Sequence, residues 1–224
     1  MGGGELQIDI NPHAIHAGGF ELSQSALTGS IVVLLLMIGM GLIASRVKHF
    51  SDRPKGLQAV VELAVDSMHR FAQAKIGRRS EVVAPFVMTL MMYILFGTLI
   101  DLFGIPAVTM DLNATAALAL LSFLLTNIMA FSQLGFAGRF KHLAKPIAVA
   151  MPIRILTDLI APCSMALRLF ANVLVGAIII ELVYFVCPLV LPAVVGAYFS
   201  VIHPLIQVYV FGLLSLNYIE EAIE

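Results

Sequence analysis

The sequence predicts an all-α polytopic membrane protein with five transmembrane helices and one amphipathic interfacial helix. Two observations predict that class. The chain is 60% hydrophobic and only 12% charged, about half the charge of a typical soluble domain. Its charges are also absent from four long stretches and number one in a fifth, each long enough for the roughly 20 residues that a helix needs to cross a bilayer core of about 30 Å. The mean hydropathy of +0.98 agrees. So few charges exclude a soluble enzyme, a disordered regulator and a nucleic-acid binder.

The spans follow from the charge-free runs. Leu22 to Ser45, Val82 to Ile100 and Leu112 to Gly138 contain no Asp, Glu, Lys or Arg, and Leu159 to Ile180 contains only Arg168. Leu182 to Ile219 contains none, but Cys187-Pro188 and Pro192 interrupt it, which predicts a turn and then a separate helix. The expected spans are residues 22–45, 82–103, 112–136, 147–187 and 193–219. At 1.5 Å per residue, a helix over 147–187 is well over 50 Å long and must tilt or kink to fit a bilayer. Residues 22–224 form one membrane domain, and residues 1–21 an external segment. That segment lacks the basic start of a signal peptide, so the first span is expected to remain as an anchor.

Orientation follows from the basic residues. Of the 13 Lys and Arg, eight lie between Arg46 and Arg79 and four between Arg139 and Arg154. The positive-inside rule makes both segments cytoplasmic. The N-terminus is then outside and the C-terminus inside, as five crossings require. Residues 56–76 differ in kind. Leu57, Val60, Val61, Ala64, Met68 and Phe71 recur at helical spacing, with Gln58, Glu62, Asp66, Arg70 and Gln73 on the other side. That pattern describes a helix lying on the cytoplasmic interface.

Arg168 is the residue with most to explain. It lies near the middle of its span, where an arginine costs from about 2.5 to over 10 kcal/mol. Such a cation needs a carboxylate or water. Asp158 and Glu181 stand roughly 15 and 20 Å away along the helix, neither on its face, so a mate on another subunit is expected ahead of a pair within the chain. Ala161, Ser164, Ala171, Asn172 and Gly176 lie on or beside the same face, and small residues let another helix approach closely; ordinary packing within the chain would use them in the same way. On the last helix, Ser200, His203, Gln207 and Ser215 fall near one face. His203 alone reads as a core histidine and Glu181 alone as an interfacial group. Together they suggest a hydrated path. No phosphate loop, metal-binding His pair or nucleophile elbow is present in the sequence, and no metal, cofactor or catalytic residue is expected.

These residues resemble a known family. Ser164-Met165-Ala166-Leu167-Arg168-Leu169-Phe170-Ala171-Asn172 is similar to the arginine-helix signature of subunit a of F-type ATP synthases. Asp111 to Ala119 resembles the start of that family's fourth helix, and Gln207-Val208-Tyr209-Val210-Phe211 with Tyr218-Ile219-Glu220-Glu221 resembles its last helix. The resemblance implies a non-catalytic, ion-conducting stator subunit of the Fo sector, in a bacterial inner membrane. It implies partners: a ring of c subunits, the b subunits of a peripheral stalk and the rest of the synthase. Arg168 would face the ring carboxylate between two half-channels. Asn172, Gln207, Glu181, His203, Asp158 and Ser200 would serve ion translocation; Ser164, Ala171 and Gly176 would face the ring. The last two helices would be long and tilted. The chain departs from the family at Ala177 and Ser200, where ionisable residues are usual, and at Arg154, where an acid is common. Proton and sodium both remain open as coupling ion. The alternative reading is a free-standing secondary transporter or channel, against which the absence of an internal repeat argues.

Overall fold

The computed structural model describes residues 14–17, 20–47, 56–77, 80–143, 151–186 and 191–223. Two short strands, Ala14–Ala17 and Phe20–Ser23, pair antiparallel ahead of the first helix. Everything after them is helical or connects helices. In chain order the helices are α1 (Gln24–Val47), α2 (Leu57–Ile76), α3 (Ser80–Leu99), α4 (Leu112–Leu143), α5 (Met151–Val186), α6 (Leu191–Ala197) and α7 (His203–Ile223). A five-residue π-helical turn, Tyr198–Ile202, joins α6 to α7.

Among the described residues, five helical stretches are long and apolar enough to cross a membrane: Ala26–Ser45, Ser80–Phe103, Leu112–Gly135, Pro152–Val186 and Leu191–Ile223. These match the five expected spans. The expected turn at Cys187-Pro188, residues 147–150 and 187 of the expected fourth span, and residues 1–13, 18 and 19 of the expected external segment lie outside the described residues. Gly135 ends the regular part of α4, with φ of 67° inside the helix.

The spans pack in the order α1, α3, α7, α4, α5, with α2 laid across one end of α3 and α7. Sequence pattern explains the placement. Met68, Ala72 and Ile76 recur one turn apart on α2 and are buried against Val83, Ala84 and Val87 of α3 and Leu216 and Ile219 of α7. On its outer side α2 carries an exposed Asp66–Arg70 ion pair of 2.8 Å. Lys75 then reaches Glu220 of α7 at 2.9 Å, tying the end of α2 to the end of the last span. A second core joins Leu90 and Ile94 of α3, Leu118 and Ala119 of α4, Met165 and Leu169 of α5, and Val208 and Phe211 of α7.

Two polar features hold the centre. Ser122 of α4 donates a hydrogen bond to Ser215 of α7 at 2.9 Å, and both are buried. At Gly212 of α7, any β-carbon would strike the Met91 side chain of α3, so the missing side chain sets that helix spacing. Helix α5 is covered least. Only 11% of its most apolar stretch is buried, against 44% for α4, and Leu156, Ile160, Leu167, Val175 and Leu182 form an exposed strip along it.

Candidate functional site

Three chain segments converge on one cavity of about 80 Å³. That is room for two or more waters at about 30 Å³ each. The first segment begins where α3 ends. A 3₁₀ turn, Ile100–Phe103, follows, closed by Gly104 at φ 75°, whose N–H bonds the Asp101 carbonyl at 2.9 Å. Few residues other than glycine accept that φ cheaply. The turn and the next one, Val108–Met110, bring Thr98, Asp101 and Thr109 to the cavity. Thr98 donates to the Ile94 carbonyl at 2.8 Å. Its hydroxyl proton is therefore committed, and the 3.4 Å contact with Thr109 is donated by Thr109.

Helix α5 supplies the second wall: Leu169, Asn172, Gly176, Ala177 and Ile180. Leu169 to Ile180 covers about 16 Å along a helix, so the cavity runs lengthwise along α5. It begins beside Arg168, which is half-buried and has no ion pair among the described residues. Arg168 stands between the exposed strip of α5 and the cavity wall.

The third wall is the last span, with Phe199, Ser200, His203 and Gln207. Here the π-turn has a physical cause. Pro204 has no N–H to give the carbonyl four residues earlier, that of Ser200, so the regular α ladder is interrupted. The His203 N–H instead bonds back to Tyr198, the longer π spacing often found at functional sites. The His203 ring lies against Phe199 and Tyr198. Its Nε2 is buried with no hydrogen-bond partner among the described residues. The Asn172 amide donates to the Gln207 carbonyl oxygen, joining α5 to α7.

A second, smaller cavity of about 20 Å³ lies at the α2 end of the bundle, lined by Ser122, Thr126, Asp158, Tyr218 and Glu221.

Asn172, Gln207, His203 and Ser200 all line the larger cavity, whose α5 wall starts one residue after Arg168. The structure does not bring Glu181 there. Glu181 is exposed and is not part of the cavity wall. Asp158 joins the other cavity. Ala171 is exposed and Ser164 half-buried on α5. Gly176, expected to face another subunit, is buried against Phe199, 3.2 Å from where its β-carbon would stand. Its missing side chain therefore serves contact between two spans of this chain. Sequence reasoning missed Asp101, Thr98, Thr109 and Glu221. The signal for Asp101 was present: a carboxylate directly after the charge-free run Val82 to Ile100 and inside the expected span 82–103.

The fold and the site together define a multi-pass membrane protein in which the last two spans and the turns after α3 line a cavity, largely apolar but carrying several polar side chains, next to an arginine within a span. The chain belongs to the ATP synthase A chain family, whose model it matches over residues 27–220. It is 34% identical over 203 residues to ATP synthase subunit a 1 of Syntrophotalea carbinolica, covering 88% of this chain and 85% of that protein. It is 28% identical over 205 residues to ATP synthase subunit a of Moorella thermoacetica, covering 91% and 92%. The Syntrophobacter fumaroxidans subunit a is 28% identical over 220 residues, covering 96% and 91%.

Proposed function

We propose that this chain is the ion-conducting stator of a rotary ATP synthase and works in a bacterial inner membrane beside a ring of c subunits. The observation that carries the reading is the setting of Arg168: a cation without an ion pair among the described residues, between an uncovered apolar strip and a water-sized cavity. Arginine stays protonated at any accessible pH. A ring carboxylate arriving beside it is favoured in its ionised form, because an opposite charge lowers a carboxylate pKa. The ion it carried leaves by one path and a new ion arrives by the other. Arg168 also raises the barrier to a cation passing straight between the two.

The larger cavity serves as the outer path and the Asp158–Glu221 cavity as the mouth of the inner one. With the N-terminus outside and the C-terminus cytoplasmic, the basic segments face the cytoplasm. Ser164 and Ala171 face the ring. The b subunits of the peripheral stalk hold the assembly against rotation. Each unit charge crossing 100 mV releases about 2.3 kcal/mol, so several must pass per ATP.

The test is purification of the tagged chain from its own membranes. A stator brings a c-ring and an ATP-hydrolysing head with it. A free-standing transporter purifies alone and moves its substrate without them, and that result would refute the proposal.

A further inference from the structure

We propose that the turn after α3 is a lipid anchor: Leu102, Phe103 and Ile105 sit among the acyl chains at the edge of the outer leaflet and fix the depth of the bundle there. The choice of leaflet rests on the stator reading above; the insertion itself does not.

The connection between α3 and α4 has two unlike halves. Ala107, Val108 and Thr109 are buried, at no more than 1% exposure. Leu102, Phe103 and Ile105 are exposed, at 57%, 80% and 39%. The buried half is wedged between two spans. Val108 lies 3.6 Å from where a β-carbon of Gly29 in α1 would stand, and 3.3 Å from that of Gly97 in α3. Two glycines thus make room for one valine, which holds the connection in place. The exposed half projects from this base. Apart from its two neighbours in the chain, no described atom lies within 4 Å of a β-carbon placed on Gly104.

Turns that face water are built from polar residues. Residues 102–108 carry no polar side chain, so the exposed half calls for an apolar solvent. Its position supplies one. Leu102 and Phe103 close the membrane span Ser80–Phe103, and Phe96, further back in that span, is exposed too. Exposed apolar surface therefore continues from the span into the turn. The depth is limited by the backbone, since irregular chain open to lipid does not occur within the hydrocarbon core. The Gly104 N–H is bonded to Asp101 at 2.9 Å and the Met110 N–H to Ala107 at 3.1 Å. Other backbone groups, and the exposed Asp101 side chain, require headgroups and water. The backbone thus lies at the headgroup boundary while the apolar side chains reach below it, the division that an interfacial helix makes between its two faces. No Lys or Arg occurs between Arg79 and Arg139, so the contact is with acyl chains rather than with an acidic headgroup. A rigid partner would need a socket for a side chain as prominent as Phe103; fluid acyl chains need none.

The experiment uses the assembled synthase in phosphatidylcholine vesicles. In a background lacking Cys163 and Cys187, Leu102→Cys, Phe103→Cys and Ile105→Cys are made singly and spin-labelled, and the signal of the complex without the added cysteine is subtracted. Collisions of the label with oxygen, which concentrates among acyl chains, are compared with collisions with a water-soluble nickel chelate. Oxygen collisions should exceed nickel collisions severalfold, with the largest ratio at Phe103→Cys. Equal or more frequent nickel collisions would put the turn in water and overturn the proposal. Rare collisions with both reagents would put another subunit over the turn and overturn it too, as would loss of assembly in all three variants. Copurification tests the stator reading separately: a chain that comes without a c-ring but keeps the oxygen preference ends that reading and leaves this one standing.

Discussion

The Asn172–Gln207 hydrogen bond is the direct polar tie between α5 and α7 beside the arginine. Asn172 is one turn past Arg168, about 6 Å along the axis. Both amides are half-buried. Removing either partner leaves the other in an apolar setting and loosens the wall that positions Arg168. Hydrogen bonds between membrane helices average about 0.6 kcal/mol in double-mutant cycles and reach about 1.7. If the bonded arrangement is the conducting one, that range corresponds to a rate loss of about 3-fold to about 20-fold. The assay is ATP-driven ion uptake into vesicles by four assembled complexes: wild type, Asn172→Ala, Gln207→Ala and the double variant. Each single change is expected to fall within that range. The double variant should be no worse than the poorer single one, because the second change removes a group that has already lost its partner. Losses that multiply would mean that the two amides act independently and would refute the tie. A loss far beyond 20-fold would show one of them acting directly on the ion.

Four further outcomes follow from the structure. Arg168→Ala should abolish ATP synthesis and ATP-driven pumping in an assembled complex, and Arg168→Lys should be severely impaired, since lysine lacks the planar fork and can lose its proton when desolvated; near-normal pumping by the alanine variant would end the mechanism. At Gly176, alanine meets Phe199 Cδ1 at 3.2 Å and should be tolerated after a small shift, whereas valine overpacks the site by about 1–3 kcal/mol and narrows the cavity, which thermal unfolding of the complex and pumping rates would register together. Glu220→Gln removes a half-exposed pair with Lys75 and should lower stability by no more than about 1 kcal/mol, measured as a small shift in melting temperature with pumping retained. In a background lacking Cys163 and Cys187, single cysteines at Ser51 and Gly138 should label only from the cytoplasm and one at Val108 only from outside; external labelling at Ser51 would invert the topology.

Periodicity and charge made the spans legible, because each is decided by residues within one helix. Arg168, Asn172, Gln207 and His203 were legible for a similar reason: a polar group in an apolar run identifies itself. The lining of the larger cavity was not legible in full. Asp101 and the two threonines reach the cavity through two consecutive 3₁₀ turns, whose direction no helical period predicts. Gly176 shows the converse problem. A small residue on a helix face permits close approach, but the pattern does not say whether the approaching helix belongs to another subunit or, as here, to the chain's own last span.

The uncovered face of α5 completes the case for a partner at Arg168. A helix packed on all sides within its chain would bury most of its apolar residues, and α4 comes nearest to that among the five spans. Helix α5 buries the smallest share. Lipid alone would satisfy its leucines and isoleucines, which is why an exposed apolar strip in a membrane protein is weak evidence by itself. Lipid does not satisfy an arginine at the strip's edge. Arg168 is too far from both membrane surfaces, along a helix of 36 residues, to reach headgroups easily by snorkelling. It needs an anion or water at its own depth. The larger cavity lies on one side of it only, its α5 wall starting at the next residue, Leu169. On the stator reading proposed above, an anion comes across the exposed strip, from a partner that presents a carboxylate in the middle of the membrane and buries apolar surface around it. A rotating ring meets both conditions at every step, because each incoming subunit replaces the last against the same strip. A partner fixed in place would hold one carboxylate against Arg168 permanently. The pair would then be a structural ion pair, and Arg168→Ala would act by releasing the partner from α5. Retained assembly with lost pumping in that variant therefore distinguishes a moving partner from a fixed one.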